Sequence, residues 1–119
     1  HVKTALEMQE KVLEHFSDSN IVIMAAAVAD YRTDKPFPHK LKKSDKSFQL
    51  ELVRNPDILH TLGKRKGQRF LVGFAAETEK FEENALRKIK EKHLDLIVVN
   101  DVSRTDAGFE VDTNQIMLI

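Results

Sequence analysis

The sequence predicts an α/β fold: an open, mostly parallel sheet with helices on both faces and a β-hairpin inserted around residues 40–54. Three observations carry that expectation. IVIMAAAVA, RFLVGFAAE and LDLIVVNDV are short runs apolar on both faces, as the central strands of parallel sheets are. Segments with helical spacing of apolar residues separate them, giving the alternation of strand and helix that a parallel sheet requires. With 119 residues, one domain over 1–119 is the economical organisation.

TALEMQEKVLEHF opens the chain as a helix, with Leu6, Met8, Val12, Leu13 and Phe16 at helical spacing and Thr4 as its cap. SDSN ends it, and IVIMAAAVA follows as the first strand. RTDKPFPH holds two of the three prolines and reads as loop. KLKKSDKSFQLELVRN alternates, with Phe48, Leu50 and Leu52 pointing one way, so it predicts a hairpin with one buried face. NPDILHTLGK starts a helix, with Asn55 as N-cap, Pro56 at the first helical position and Asp57 complementing the dipole. RFLVGFAAE is a second strand. TEKFEENALRKIKEKH is a helix with Phe81, Ala85, Leu86 and Ile89 inward. LDLIVVNDV is a third strand, and NQIMLI a short last one.

Bulk composition narrows the function classes. Lys and Arg total 19 and so do Asp and Glu, so net charge gives no pull toward nucleic acid or a membrane surface. No run of 18 apolar residues is present. Zero cysteines exclude disulfides, thiolate zinc sites and a cysteine nucleophile, and fit a cytoplasmic protein. The phosphate-loop pattern G-x-x-x-x-G-K-[ST] and the dinucleotide fingerprint G-x-G-x-x-G do not occur. The five histidines (His1, His15, His39, His60 and His93) lack metal-ligand spacing, and Ser44, Ser47 and Ser103 lack a nucleophile-elbow context.

Ligands of open α/β sheets bind beyond the carboxyl ends of the strands. Two of those ends, AAAVADYR and GFAAET, finish in small residues. Side chains of that size serve either tight helix-on-sheet packing or close approach of a ligand to the backbone. Lys40 and Lys42 share one face of an extended arm, where they suit phosphate oxygens or a solvated edge strand. Lys88 and Lys92 are one helical turn apart, either as surface charge or as anion ligands. The helix start at Asn55-Pro56-Asp57 offers amides to an anion, though Asp57 opposes one. Asp30, Asp101 and Asp106 are the acids at strand ends, each able to hold Mg²⁺ through water or to cap a turn.

Taken together, AAAVADYR, KLKK, LVRNPDIL, VGFAAET, LDLIVVNDV and GFEVDTNQIMLI stand in the order and spacing of phosphopantothenoylcysteine synthetase, also called phosphopantothenate–cysteine ligase. The resemblance covers essentially all 119 residues. It resembles the carboxy-terminal half of the bifunctional bacterial coenzyme A biosynthesis flavoprotein. The resemblance implies a Rossmann-like doubly wound fold, a homodimer, and use of CTP with Mg²⁺. It implies that the carboxylate of 4′-phosphopantothenate becomes an acyl-cytidylate with release of pyrophosphate. The amino group of L-cysteine then displaces CMP. A flavin-dependent phosphopantothenoylcysteine decarboxylase is the implied fused or associated partner.

Carried over by residue, the resemblance puts the backbone of Met24, Ala25 and Ala26, with Asp30, on one side of the CTP pocket. Lys40 becomes the lysine of phosphate handling and activation, and so the catalytic residue. Pro56, Asp57, Ile58 and Leu59 become a nucleotide-contacting helix start, and Phe74 a contact at the next strand end. Lys88 and Lys92 become nucleotide-binding lysines. The family's amino-terminal strand and Gly/Ser-rich segment have no counterpart in the sequence. Two alternatives therefore stay open: a catalytically incomplete nucleotide-binding and dimerisation module, and an unrelated Rossmann-like nucleotide-binding protein.

Overall fold

The computed structural model describes residues 1–35, 37, 39–40, 42, 47–101 and 115–119. The hairpin turn, Ser44, Ser103, Asp106 and the side chain of Asp101 lie outside what it describes. In chain order the elements are α1 (Ala5–Phe16), β1 (Ile21–Met24), β2 (Tyr31–Thr33), β3 (Leu52–Arg54), α2 (Ile58–Arg65), β4 (Phe70–Glu77), α3 (Phe81–Lys92), β5 (Leu96–Asp101) and β6 (Ile116–Leu118). The main sheet runs β1-β4-β5-β6, with β1–β4 and β4–β5 parallel and β5–β6 antiparallel. The α/β class and the mostly parallel sheet are as the sequence predicts.

Local chemistry explains the helix ends. Thr4 caps α1: its Oγ1 accepts from the Glu7 N–H at 3.1 Å, and the Glu7 carboxylate accepts the Thr4 N–H in return. At the other end of α1, Arg69 Nε donates to the Phe16 carbonyl at 2.9 Å while its guanidinium lies over the Phe16 ring. The N-cap of α2 is Asp57, not Asn55, since its carboxylate accepts the His60 N–H at 3.0 Å. Pro56 therefore precedes the cap, where its missing N–H costs nothing. Asn55 is committed elsewhere, as described below.

One core forms between the sheet and the helices. Leu71 and Ala75 of β4, with Ile97 and Val99 of β5, share one face and pack with Phe16 of α1, Ile58 and Leu62 of α2 and Ala85 of α3. All three helices thus cover a single face of the sheet. On the other face Val72 and Val98 are buried at the centre, while Ile21, Ile23, Phe70, Phe74, Ile116 and Leu118 around them are exposed, and no helix of the described residues packs there. Leu86, expected inward, is also exposed. Phe81, Ala85 and Ile89 already fill the inner stripe of α3, leaving Leu86 on its flank.

The insertion is a hairpin with shorter and differently placed arms than expected. Tyr31–Thr33 pairs antiparallel with Leu52–Arg54, and the residues between them form the connection. Phe48, Leu50 and Leu52 are exposed instead of forming a buried face, and Phe48 finds a ring partner in Phe37 at 5.7 Å. A two-stranded ribbon off the sheet has no layer of its own to pack against.

Two glycines set the helix spacing. A Cβ on Gly63 would lie 1.9 Å from the Lys92 carbonyl oxygen, and one on Gly73 would lie 2.9 Å from both Leu59 and Leu94. We expect Gly63→Ala to cost about 3 kcal/mol or more, because backbone cannot yield as a side-chain tip can. Urea unfolding checks this, and a loss under about 1 kcal/mol would contradict the close packing of α2 on α3.

Candidate functional site

Strand lengths create a step at the carboxyl end of the sheet. In the parallel register Met24 pairs with Gly73, so β1 stops there while β4 continues through Phe74 to Glu77. Past Met24 the chain turns away through Ala25 and Ala26, with the Val28 N–H donating to the Ala26 carbonyl at 3.0 Å. Ala25, Ala26, Ala27 and Ala29 are exposed, whereas Ala75 is buried and Gly73 is filled by helix packing. The small residues of the two strand ends therefore do different jobs. Those of β4 admit α2, and those after β1 leave backbone open to solvent.

Asn55 ties this loop to the start of α2. Its Nδ2 donates to the Ala29 carbonyl at 2.8 Å, its N–H donates to the Asp30 carbonyl at 2.8 Å, and its Oδ1 accepts from Arg32 at 3.2 Å. Arg32 also donates to the Arg54 carbonyl at 2.7 Å. The Asp30 side chain is exposed beside this knot. Two cap-capable residues flank Pro56, and the sequence alone does not say which one caps. The knot is the signal's resolution: Asn55 has both donors and an acceptor to satisfy, while Asp57 accepts only.

At the start of α2 the N–H groups of Ile58 and Leu59 have no acceptor within the helix. Asp57 stands over them, and Lys92 reaches it from α3 at 2.9 Å. Lys88, one turn earlier, pairs with Glu77 at 2.5 Å, and Asn84 Nδ2 donates to the second Glu77 oxygen at 3.1 Å. Both α3 lysines are thus partly buried partners of carboxylates on neighbouring elements, not solvated surface charge. Glu77 and Asn84 carry no signal in the sequence beyond their places in GFAAET and the following helix.

The structure brings Met24–Ala26, Pro56–Leu59, Lys88 and Lys92 to the same end of the sheet. Phe74 lies one residue past the end of β1, exposed on the face of the sheet opposite the helices. Lys40 is exposed in the connection between β2 and β3, and no hydrogen bond or ion pair among the described residues joins it to the others. A separate hollow of about 600 Å³ lies between the first turn of α1 and the loop after β1. Of the expected site residues only Ala26 lines it.

Comparison with known proteins decides the family. All of residues 1–119 match the model of the DNA/pantothenate metabolism flavoprotein C-terminal domain. The chain belongs to that family. Among its relatives, the coenzyme A biosynthesis bifunctional protein CoaBC of Bacillus subtilis is 50% identical over 113 residues, covering 95% of this chain and 28% of the relative. The CoaBC protein of Escherichia coli K12 is 44% identical over 121 residues, covering 98% and 30%. A solved C-terminal domain of a CoaBC protein superposes with a TM-score of 0.71 at 36% identity, covering 99% of this chain and 54% of that one. The chain spans about three-tenths of the length of these curated relatives. The resemblance read from the six motifs is borne out at the level of the family.

Electrostatics give the Asp57–Lys92 tie a pH dependence. Burial by itself would raise the Asp57 carboxyl, but the bonds from Lys92 and the His60 N–H, with the charges of Lys92 and His60, outweigh it and hold it below its ordinary value. A depressed carboxyl contributes stability above its unfolded value, about 3.9, and loses it as pH falls through the lower folded value. Asn is an equally good N-cap, so Asp57→Asn isolates the charge. The variant is expected to be less stable at neutral pH by up to about 1 kcal/mol, with the gap closing below about pH 4. Denaturant midpoints across that range check it, and a gap constant down to about pH 2 would contradict the tie.

Proposed function

We propose that the chain is the nucleotide-binding part of a phosphopantothenate–cysteine ligase of coenzyme A biosynthesis. What supports this reading is that three features able to bind an anion stand toward the carboxyl ends of β1 and β4. These are the open backbone of Met24–Ala26, the start of α2 at Pro56–Leu59, and the lysine pair Lys88 and Lys92. Membership in the flavoprotein C-terminal domain family, and relatives named for coenzyme A biosynthesis, support the pathway.

In this reading the chain binds CTP with its triphosphate over the α2 start and the two lysines. The carboxylate of 4′-phosphopantothenate attacks the α-phosphorus, the bond to pyrophosphate breaks, and an acyl-cytidylate forms. The amine of L-cysteine then attacks the acyl carbon and expels CMP. Lys40, Lys88 and Lys92 offset the charge that builds on the leaving pyrophosphate. No protein nucleophile is required, and the thiol belongs to the substrate.

Magnesium enters as the companion of the triphosphate. Among the described residues no cluster of three or more His, Asp or Glu side chains could hold an ion. Glu77 and Asp57 are engaged by lysines. Mg²⁺ bound chiefly through phosphate oxygens and water suits such a site.

The exposed apolar side chains on the face of the sheet opposite the helices favour a second reading, in which the chain is a catalytically incomplete nucleotide-binding and dimerisation module. The family's amino-terminal strand and Gly/Ser-rich segment would then complete the sheet at β1, whose outer edge has no neighbour among the described strands. Exposed Tyr31, Phe37, Phe48, Leu50 and Leu52 support a homodimer contact through the hairpin. The relatives' names carry the word bifunctional and the family's description the word flavoprotein, and a flavin-dependent decarboxylase as fused or associated partner fits both. The zero cysteine count supports a cytoplasmic setting. No helix among the described residues is long and apolar enough to cross a membrane.

Titration calorimetry with Mg²⁺ and CTP tests the nucleotide assignment. The chain is expected to bind, and Lys88→Gln and Lys92→Gln each to weaken binding by about 10-fold or more, as loss of a charge-assisted bond does. The salt dependence of binding should flatten in both variants. Absence of binding by the unaltered chain, or full affinity in both variants, would overturn the assignment.

A further inference from the structure

We propose that Glu77 is a positioning residue for nucleotide phosphate: it anchors the Lys88 ammonium at the carboxyl end of β4 with donors left for a phosphate oxygen. The proposal rests on the nucleotide reading above. Glu77 is the last residue of β4 and stands on the helix-covered face, in line with Leu71, Gly73 and Ala75. Both of its carboxylate oxygens are engaged, one by Lys88 at 2.5 Å and the other by Asn84 Nδ2 at 3.1 Å. Asn84 is itself held, since its Nδ2 also donates to the Glu79 carbonyl at 3.2 Å and its N–H to the Lys80 carbonyl at 3.0 Å. A carboxylate fixed at both oxygens, on a strand paired to β5 through its last residue, cannot follow the lysine. The lysine is the partner that is placed.

The order of exposure separates anchoring from simple neutralisation. The Glu77 side chain is 15% exposed and that of Lys88 31%, so the acid is the more buried partner of the pair. In the neighbouring pair the order is reversed, with Asp57 at 48% and Lys92 at 25%. One N–H of the Lys88 ammonium serves Glu77, and two remain for a ligand. A long side chain otherwise loses rotamer freedom when it captures an anion, and the bond to Glu77 removes that freedom before the ligand arrives.

Anchoring and neutralisation predict opposite signs. If Glu77 merely opposes anions, removing its charge tightens nucleotide binding. If it anchors Lys88, removal weakens binding. In the full 119-residue chain, Glu77→Ala is expected to raise the Kd for CTP with Mg²⁺ by about 5- to 20-fold, the loss of part of one charge-assisted contact. Adding Lys88→Gln to Glu77→Ala should weaken binding by much less than it does in the unaltered chain, because the two act as one unit. A folded Glu77→Ala chain that binds CTP as tightly as, or more tightly than, the unaltered chain overturns the proposal. So does full additivity of the two substitutions. Should Glu77→Ala fail to fold, Glu77→Gln decides: a two-fold or larger rise in Kd supports anchoring, and no rise or a fall overturns it. If the unaltered chain itself fails to bind CTP, the nucleotide reading fails first and the anchoring proposal falls with it.

Discussion

The close crossing of α2 on α3 governs the geometry of the whole carboxyl end of the sheet. Gly63 lies against the backbone carbonyl of Lys92, at a distance that admits no side chain. With the two backbones that close, the Lys92 ammonium reaches across to Asp57 at the start of α2, at 2.9 Å. His60 Nδ1 meets the Glu91 carbonyl at 3.1 Å along the same seam. Packing and charge placement are therefore one event. The contact that joins two helices over the core also delivers a cation to a helix N-terminus.

The same economy holds where α2 meets the sheet. Gly73 lets Leu59 and Leu94 close over β4, and Ala75 continues the low surface toward Glu77. Small residues there are packing residues. The alanines after β1 are not, since Ala25 to Ala27 face solvent and the chain is held by its turn and by the Asn55 knot. An open backbone segment, a helix start and two anchored lysines result, each positioned by a different part of the core. Stability at the opposite end of the sheet comes from Asp95, which accepts from the Leu71 N–H at 2.6 Å and pairs with Lys66.

Much of this was legible in the residues. Apolar runs without alternation gave away β4 and β5, because a strand in the interior of a parallel sheet needs no polar face. The same pattern marked β1, although it lies at the edge with Ile21 and Ile23 exposed. Thr4 with Glu7 three residues on is a capping pattern that local chemistry alone completes. The hairpin forms but its expected buried face does not: Phe48, Leu50 and Leu52 alternate as a half-buried strand would, yet all three are exposed. Asn55 was misassigned because two capping residues flank one proline and only a tertiary partner, Ala29, distinguishes them. Lys88 and Lys92 were ambiguous for a similar reason. Spacing placed them on one side of α3, but their value depends on Glu77 and Asp57, which lie 11 and 35 residues away in sequence.

The central claim is that nucleotide phosphate binds at the step between β1 and β4, over the start of α2 and the lysines of α3. Amide chemical-shift mapping of the labelled chain during titration with CTP and Mg²⁺ tests it most directly. The account predicts changes concentrated at Met24–Ala26, Asp57–Leu59, Phe74 and the Lys88–Lys92 turn, with α1 and β6 left in place. Changes centred instead on Val2 to Leu6, around the hollow beside α1, would contradict it.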